Sequence, residues 1–337
     1  MKFAVLAIGV AGLSSIAAAQ VTIWSPRINR TTGVATLVSY TNLAPSSQVA
    51  VGTMTVPTNH FVSGLEFTPD GRLWASVQGP AGSMQQGIYS VNRTTGAATQ
   101  VGAPIGLDGA EVVTDLCWNP VTHRLTGMAT PSSGGLTSRL LNFDIHTGAV
   151  ASTSTLTSDV NVLHVGVTCR PSGEYLMLDV FNEWVSHKVS DDAIWLGNVL
   201  SFTTAYNQGI GTDFGTGTIW YASFRLTNNL QGLGVSELRT INPTTGVDTF
   251  VGSLSGNATI FTDAAIEQLA VYCPADLNRD NLVEDTDFVT FVTQYDALEC
   301  GTAGMTGGCS GDFNFDGVVD DSDFVIFAIA YDQLVCS

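Results

Sequence analysis

The chain is predicted to be mainly β: a β-propeller-like domain of about five blades, followed by a small α domain of two loop–helix units. Three observations carry this prediction. Paired strand phrases recur between residues 20 and 272. Residues 273–337 hold two copies of one acidic phrase, offset by 36 residues. The composition, 45% hydrophobic and 12% charged over 337 residues, suits a large β-rich domain plus a small one and argues against disorder.

Taken in order, the N-terminus reads as a targeting segment. Lys2 precedes an apolar run from Phe3 to Gly12, and Ala17 and Ala19 fit an A-x-A cleavage site before Gln20. Residues 1–19 are therefore expected to be a signal peptide. The run is too short to span a bilayer, and no other stretch approaches a transmembrane length. The mature protein is expected outside the cell or in the cell envelope, without membrane insertion.

Residues 20–272 repeat two phrases. The first is an apolar strand, a turn and a second apolar strand. It reads GLEFTPDGRLWAS from Gly64, DLCWNPVTHRLTGM from Asp115 and GVTCRPSGEYLML from Gly166, with starts 51 residues apart. A fainter form, GTDFGTGTIWYASF, begins at Gly211. The second phrase is a strand, a Thr-Gly turn and another strand, seen around Gly96, Gly148 and Gly246 and in decayed form around Asp191. Two such phrases make the four strands of one blade. The N-terminal segment around Gly33 supplies only the second phrase, and AAIEQLAVY before Cys273 supplies a lone strand. Joining these leftovers would close the ring and remove its exposed edges. A β-sandwich or irregular β-domain is the alternative. The sequons at Asn29, Asn92 and Asn257 read as turn chemistry. The phrasing resembles secreted bacterial repeat propellers, a likeness that implies fold more than function.

No catalytic signature stands out in this region. Asp70 and Glu174 read as turn residues beside Gly71 and Gly173. Asp213 is a further candidate acid, and Asp115 starts a blade strand and would face a central channel. His60, His123, His146, His164 and His187 are scattered, without metal-ligand spacing. There is no nucleophile elbow, Walker loop or dinucleotide fingerprint. Cys117 and Cys169 fall one repeat position apart, so they are expected to be buried and unbridged.

The C-terminal repeat carries the sharpest chemistry. Oxygen side chains recur at loop positions one, three, five, nine and twelve: Asp276, Asn278, Asp280, Glu284 and Asp287, then Asp312, Asn314, Asp316, Asp320 and Asp323. Position seven, Leu282 or Val318, would give a backbone carbonyl. A twelve-residue loop of this spacing wraps a calcium ion in six to eight oxygens, so two ions are expected. Gly317 fills position six, where the chain turns sharply, and Asn281 stands in for it in the first copy. Position twelve is Asp in both copies, a shorter carboxylate than the Glu of an EF-hand. Apolar residues at helical spacing after each loop, Phe288, Phe291 and Tyr295 and then Phe324, Phe327 and Tyr331, predict one helix per copy. Four cysteines frame the copies. Pairing within a copy is one option. Cys273–Cys336 with Cys300–Cys309 is preferred, because a helix carries its end about 15 Å from its own loop.

This loop–helix pair resembles the type I dockerin module of secreted bacterial polysaccharide-degrading systems, over about 65 residues. The resemblance implies a cohesin-like or envelope partner, met by positions ten and eleven: Asp285 and Thr286, Asp321 and Ser322. Dockerins often carry a Ser/Thr pair there and basic residues after it. Here the first member is Asp in both copies, and the basic residues are missing.

Charge is unevenly placed. Of a net −18, residues 273–337 hold 13 Asp/Glu against one Arg, which is −12 and leaves −6 for the rest. Such a module repels itself without counter-ions, so calcium is expected to help it fold. The balance argues strongly against nucleic acid or anionic membrane surfaces as partners. The expected function is non-catalytic: a secreted calcium-binding protein whose dockerin-like module docks or anchors a propeller that binds a glycan or protein. The alternative is a secreted carbohydrate-active enzyme, acting in polysaccharide degradation from the propeller channel.

Overall fold

A computed structural model of the chain describes residues 20–80, 82–103, 107, 111–131, 138–155, 163–179, 183–187, 193–199, 209–228, 231–267, 275–278, 282–300, 302, 305, 309–314 and 318–333. The expected signal peptide, residues 1–19, lies outside them.

Each first phrase forms an antiparallel strand pair: β4 (Phe61–Phe67) with β5 (Leu73–Gln78), β8 (Glu111–Asn119) with β9 (Arg124–Pro131), β12 (His164–Cys169) with β13 (Tyr175–Asp179), and β16 (Gly209–Asp213) with β17 (Thr218–Asn228). Each second phrase adds two more strands. These are β6 (Gly87–Val91) and β7 (Ala98–Gln100), β10 (Arg139–Phe143) and β11 (Val150–Thr155), β14 (Glu183–His187) and β15 (Ala193–Val199), and β18 (Leu233–Ile241) and β19 (Asp248–Ser255). The result is four four-stranded meanders.

A further sheet joins both ends of this region. β1 (Thr22–Asn29), β2 (Ala35–Thr41) and β3 (Ala44–Thr53) come from the N-terminus, while β20 (Thr259–Phe261) and β21 (Ala265–Ile266) both pair with β1. Two details differ from expectation. The N-terminus contributes three strands, and its Thr-Gly turn at Gly33 joins the second and third strands of its sheet. The turns at Gly96, Gly148 and Gly246 join the third and fourth. The closing segment also differs from a lone AAIEQLAVY strand: it is two short strands beginning at Thr259, and only Ala265–Ile266 of that phrase pairs in the described part.

The first strands of successive sheets touch around a ring: β4 with β8, β8 with β12, β12 with β16, β16 with β21, and β21 with β4. The apolar cores lie between neighbouring sheets. Trp24 and Phe67 share one, Trp74 and Trp118 another, Tyr40 and Trp220 a third. Met128 and Met177, then Leu178 and Tyr221, fill the other two. Both faces of most sheets are thus covered, which is why β5 and β8 read as nearly continuous buried runs rather than alternating ones.

The two glycines of the second phrase meet across sheets. A Cβ on Gly52 would lie 1.9 Å from the Thr95 carbonyl oxygen, and one on Gly148 would lie 1.7 Å from that of Val101. The Thr-Gly turn of one sheet therefore packs on the Val-Gly end of the sheet before it. The turn is closed by an Asx side chain. Asn92 Oδ1 accepts the N–H groups of Thr94 and Thr95 at 2.9 and 3.0 Å, and Asn29, Asp144 and Asn242 do the same in their turns.

Both predicted helices form, α1 (Asp285–Ala297) and α2 (Asp321–Gln333). Phe291, Phe313 and Phe327 stack at their centre, with Phe291–Phe327 centroids 5.2 Å apart. All six tryptophans (24, 74, 118, 184, 195 and 220) lie in the propeller region, so their fluorescence reports that region alone.

Gly52 and Gly217 separate steric from conformational demands. A Cβ on Gly217 meets nothing within 4 Å, though its φ is +69°. Gly217→Ala is expected to lower the unfolding free energy by about 1 kcal/mol. Gly52→Ala is expected to lower it by ~2 kcal/mol or more, read from urea unfolding by tryptophan fluorescence. Equal losses would show that the contact between sheets relaxes freely.

Candidate calcium loops and channel carboxylates

The inner strands approach each other without a shared backbone ladder, so side chains must satisfy their facing polar groups. Three carboxylates do this. Asp115 on β8 accepts its own neighbour's N–H, Leu116, at 2.9 Å and that of Val167 on β12 at 2.8 Å. Asp263, between β20 and β21, repeats the arrangement, accepting from Ala264 at 2.6 Å and from Leu65 on β4. Glu66 on β4 accepts from Phe67 at 2.7 Å and from Trp118 on β8 at 3.2 Å. Hydroxyls complete the clasp in the other direction. Ser63 donates to the Val113 carbonyl at 2.7 Å and Thr262 to that of Val62 at 3.3 Å.

Asp115 and Asp263 occupy one repeat position, filled by Gly64 in the β4–β7 sheet and Gly166 in the β12–β15 sheet. A Cβ on Gly64 would sit 2.7 Å from Asp115 Cα, and one on Gly209 would sit 2.2 Å from Asp263 Oδ1. An Asp at this level of the ring therefore requires a glycine beside it. Burial raises the Asp115 carboxyl well above the usual range, and the Asp263 charge adds to this. Burial likewise pushes Asp263 up to about 7 and Glu66 up to about 8.

Asp115 stands out in the sequence at the start of a repeated phrase, whereas Asp263 and Glu66 do not. Asp115 lies mid-strand rather than at the strand's start, and it is completely buried. The signal for Asp263 was present: Thr262-Asp263-Ala264 echoes Thr114-Asp115-Leu116, outside the 51-residue spacing. Both carboxyls instead spend their oxygens on backbone N–H groups of the inner strands. The other candidate acids sit in turns. Asp70 accepts from the Thr68 hydroxyl at 2.6 Å, Glu174 pairs with Arg170 at 2.7 Å, and Asp213 accepts from Thr216 at 2.6 Å. Cys117 and Cys169 are both buried and not disulfide-bonded. His60 bridges Thr58 and Ser83, and His164 is buried on β12.

In the C-terminal module the two copies are related by a pseudo-twofold exchange. Tyr295, late in α1, donates to Asp321 at the start of α2 at 2.6 Å, and Tyr331 donates to Asp285 at the start of α1. The helices are thus antiparallel. Each tyrosine hydroxyl is raised above its usual range, chiefly by its hydrogen bond to the aspartate. Position twelve closes each loop. Asp287 accepts the N–H groups of Asn278 at 2.9 Å and Glu284 at 3.0 Å. Asp323 accepts those of Phe313, Asn314 and Asp320 at 2.7, 3.0 and 3.0 Å. Both carboxylates are completely buried. Their short side chains are tied into the loop and draw positions three and nine towards the helix start.

Asp276 and Asn278 in the first loop, and Asp312, Asn314 and Asp320 in the second, lie on these clasped segments. Asn278 Nδ2 donates to Thr286 at 2.7 Å, and Thr286 donates to Glu284 at 3.0 Å. Ser322 N–H donates to Asp320 at 2.8 Å. Val318 of loop two bridges to Glu299, strapping that loop to the end of α1, and Leu282 holds the equivalent place in loop one. Asp280, Asn281, Asp316 and Gly317 lie outside the described residues, as do Cys273 and Cys336.

Cys300 and Cys309 form a disulfide, so pairing within each copy is excluded. The two sulfurs and the Asp312 carboxylate lie within 4.8 Å of one another. The sulfurs are bonded to each other and offer no thiolate, which leaves Asp312 as the one hard ligand of this trio.

No family model matches the chain, and no curated protein matches it. Solved structures do. A protein of unknown function from Bacteroides caccae is 10% identical, with a TM-score of 0.44 over 74% of this chain and 100% of that one. A calcium-binding regucalcin from Agrobacterium tumefaciens is 14% identical, with a TM-score of 0.41 over 72% and 77%. A virginiamycin B lyase from Staphylococcus aureus is 9% identical, with a TM-score of 0.36 over 66% and 67%.

The channel acids set a pH dependence. Their folded pKa values are raised, so the folded state holds these protons more tightly than the unfolded chain. The stability they confer is complete below about pH 4, the unfolded carboxyl range. It is lost as pH rises through about 7 for Asp263 and about 8 for Glu66. The tryptophan-detected melting temperature is expected to fall between pH 4 and pH 8, and to fall less in Asp263→Asn. A midpoint that rises over this range would overturn the assignment.

Proposed function

We propose that this is a secreted, non-catalytic calcium-binding protein in which a dockerin-like module docks or anchors a ligand-binding propeller to an extracellular partner. The observation that carries this reading is the pairing of two equivalent loop–helix units. Each loop is closed by a buried position-twelve carboxylate, Asp287 or Asp323, and each helix start is bound by the tyrosine of the other copy. Asp276, Asn278, Asp280, Glu284 and Asp287, with the Leu282 carbonyl, would hold one calcium. Asp312, Asn314, Asp316, Asp320 and Asp323, with the Val318 carbonyl, would hold the other.

Calcium supplies the positive charge that the module's own residues lack, with one Arg against 13 acids. The disulfide supports a location where thiols stay oxidised. Asp285, Thr286, Asp321 and Ser322 are all exposed at the helix starts, where a partner would meet them. In the propeller, the channel acids spend their oxygens on inner-strand N–H groups. This supports a role in holding the ring rather than in turnover.

Calorimetry of the calcium-stripped full chain tests the reading. Two calcium ions are expected to bind, one fewer in Asp276→Ala or Asp312→Ala, and none in the double variant. Unchanged heats in the double variant would sink the ligand assignment. Capture of an envelope or secreted protein by the immobilised chain is expected with calcium, and is expected to be lost with chelator or when Thr286 and Ser322 are both changed to Ala. Capture indifferent to calcium would separate docking from the metal.

A further inference from the structure

The end of the propeller where the inner strands begin carries a groove of about 870 Å³, between the sheet built from both ends and the β4–β7 sheet. Its size falls in the range of small-ligand sites, roughly 300–1,000 Å³. Ile28, Val62 and Ile260 give it an apolar wall, the last two buried. Phe61 also lines it and is 47% exposed, a high value for an aromatic ring on an inner strand.

Three carboxamides line the groove, beside Thr31, Thr262 and Arg30, and the Thr262 hydroxyl is spent on the Val62 carbonyl at 3.3 Å. Asn29 commits its Oδ1 to the Thr31 and Thr32 N–H groups at 2.9 and 3.1 Å. Asn257 commits its Oδ1 to the Arg30 guanidinium and to Gly234 N–H at 3.1 Å. These contacts fix both amides and leave their Nδ2 groups without an acceptor among the described residues. The Gln78 carboxamide also has no hydrogen-bond partner there. No carboxylate lines the groove. Its one charged group, Arg30, is spent on the Gly232 and Asn257 carbonyls at 2.9 and 3.1 Å and lies over the Phe224 ring at 5.0 Å.

An exposed aromatic face beside fixed, unspent amides suits a ligand with an apolar C–H face and many hydroxyl oxygens. With its arginine engaged, in a chain of net charge −18, the groove is poorly equipped for a polyanion. We infer that this groove binds a neutral saccharide, with Phe61 under a sugar ring and Asn29, Gln78 and Asn257 donating to its oxygens. The inference rests on reading the propeller as the ligand-binding unit. Its substitutions leave the calcium loops untouched, so calcium binding and saccharide binding can fail separately.

The test is calorimetry of the calcium-loaded full chain with hexasaccharides of β-1,4-linked glucose, xylose and mannose, and with hexagalacturonate as the acidic counterpart. Binding is expected for at least one neutral probe and not for the acidic one. Phe61→Ala is expected to weaken it roughly tenfold, and Gln78→Ala severalfold, with the tryptophan-detected melting temperature unchanged in both. No heat with any neutral probe would overturn the inference. So would preference for hexagalacturonate, or an affinity indifferent to both substitutions.

Discussion

The propeller depends on how its inner strands face one another. They are close enough that a side chain on one leaves no room for a side chain on its neighbour at the same level. Gly64 beside Asp115 and Gly209 beside Asp263 show the constraint directly. The strands are also not joined by backbone hydrogen bonds, so each facing N–H needs an acceptor carried by a side chain. A short carboxylate between glycines meets both demands. Its two oxygens serve two strands, Leu116 and Val167 for Asp115, and Ala264 and Leu65 for Asp263. The glycines of the outer phrase answer the same problem at the rim, where the Thr-Gly turn of one sheet meets the Val-Gly of the last.

This explains what was legible in the sequence. The phrases from Gly64, Asp115, Gly166 and Gly211 were readable because every blade needs the same turn and the same buried strands. The helices after Asp287 and Asp323 were readable because loop spacing and aromatic periodicity agree. Less legible were features set by closure. The segment around Gly33 looks like every other Thr-Gly phrase, yet it occupies a different place in its sheet because the chain enters the ring one strand late. Asp263 serves as Asp115 does, yet sits in the short closing strand, where a fixed repeat spacing does not reach. The partners of Asp285 and Asp321 were hidden for a related reason. Each is met by a tyrosine of the other copy, 46 and 26 residues away.

The two regions neutralise carboxylates by opposite means. In the propeller, burial raises Glu66, Asp115 and Asp263, so these carboxyls hold protons more tightly than exposed ones do. In the C-terminal module, the acids crowd around two short loops, and under the proposed calcium binding a divalent cation would carry the compensating charge. A proton and a cation compete for a carboxylate. Rising acidity therefore favours the first region and disfavours the second.

The same logic accounts for where the polar oxygens point. Asp115, Asp263 and Glu66 turn theirs inward onto the ring's own N–H groups, where they hold neighbouring sheets together. Asp287 and Asp323 also bind backbone N–H groups, but within one loop, and so they close that loop rather than a seam between sheets. The groove beside Phe61 completes the contrast. Its asparagine oxygens are spent on nearby N–H groups, and its amide N–H groups are left to the outside. Buried carboxylates build the scaffold, loop carboxylates build the module, and recognition is left to uncharged donors that neither task consumes.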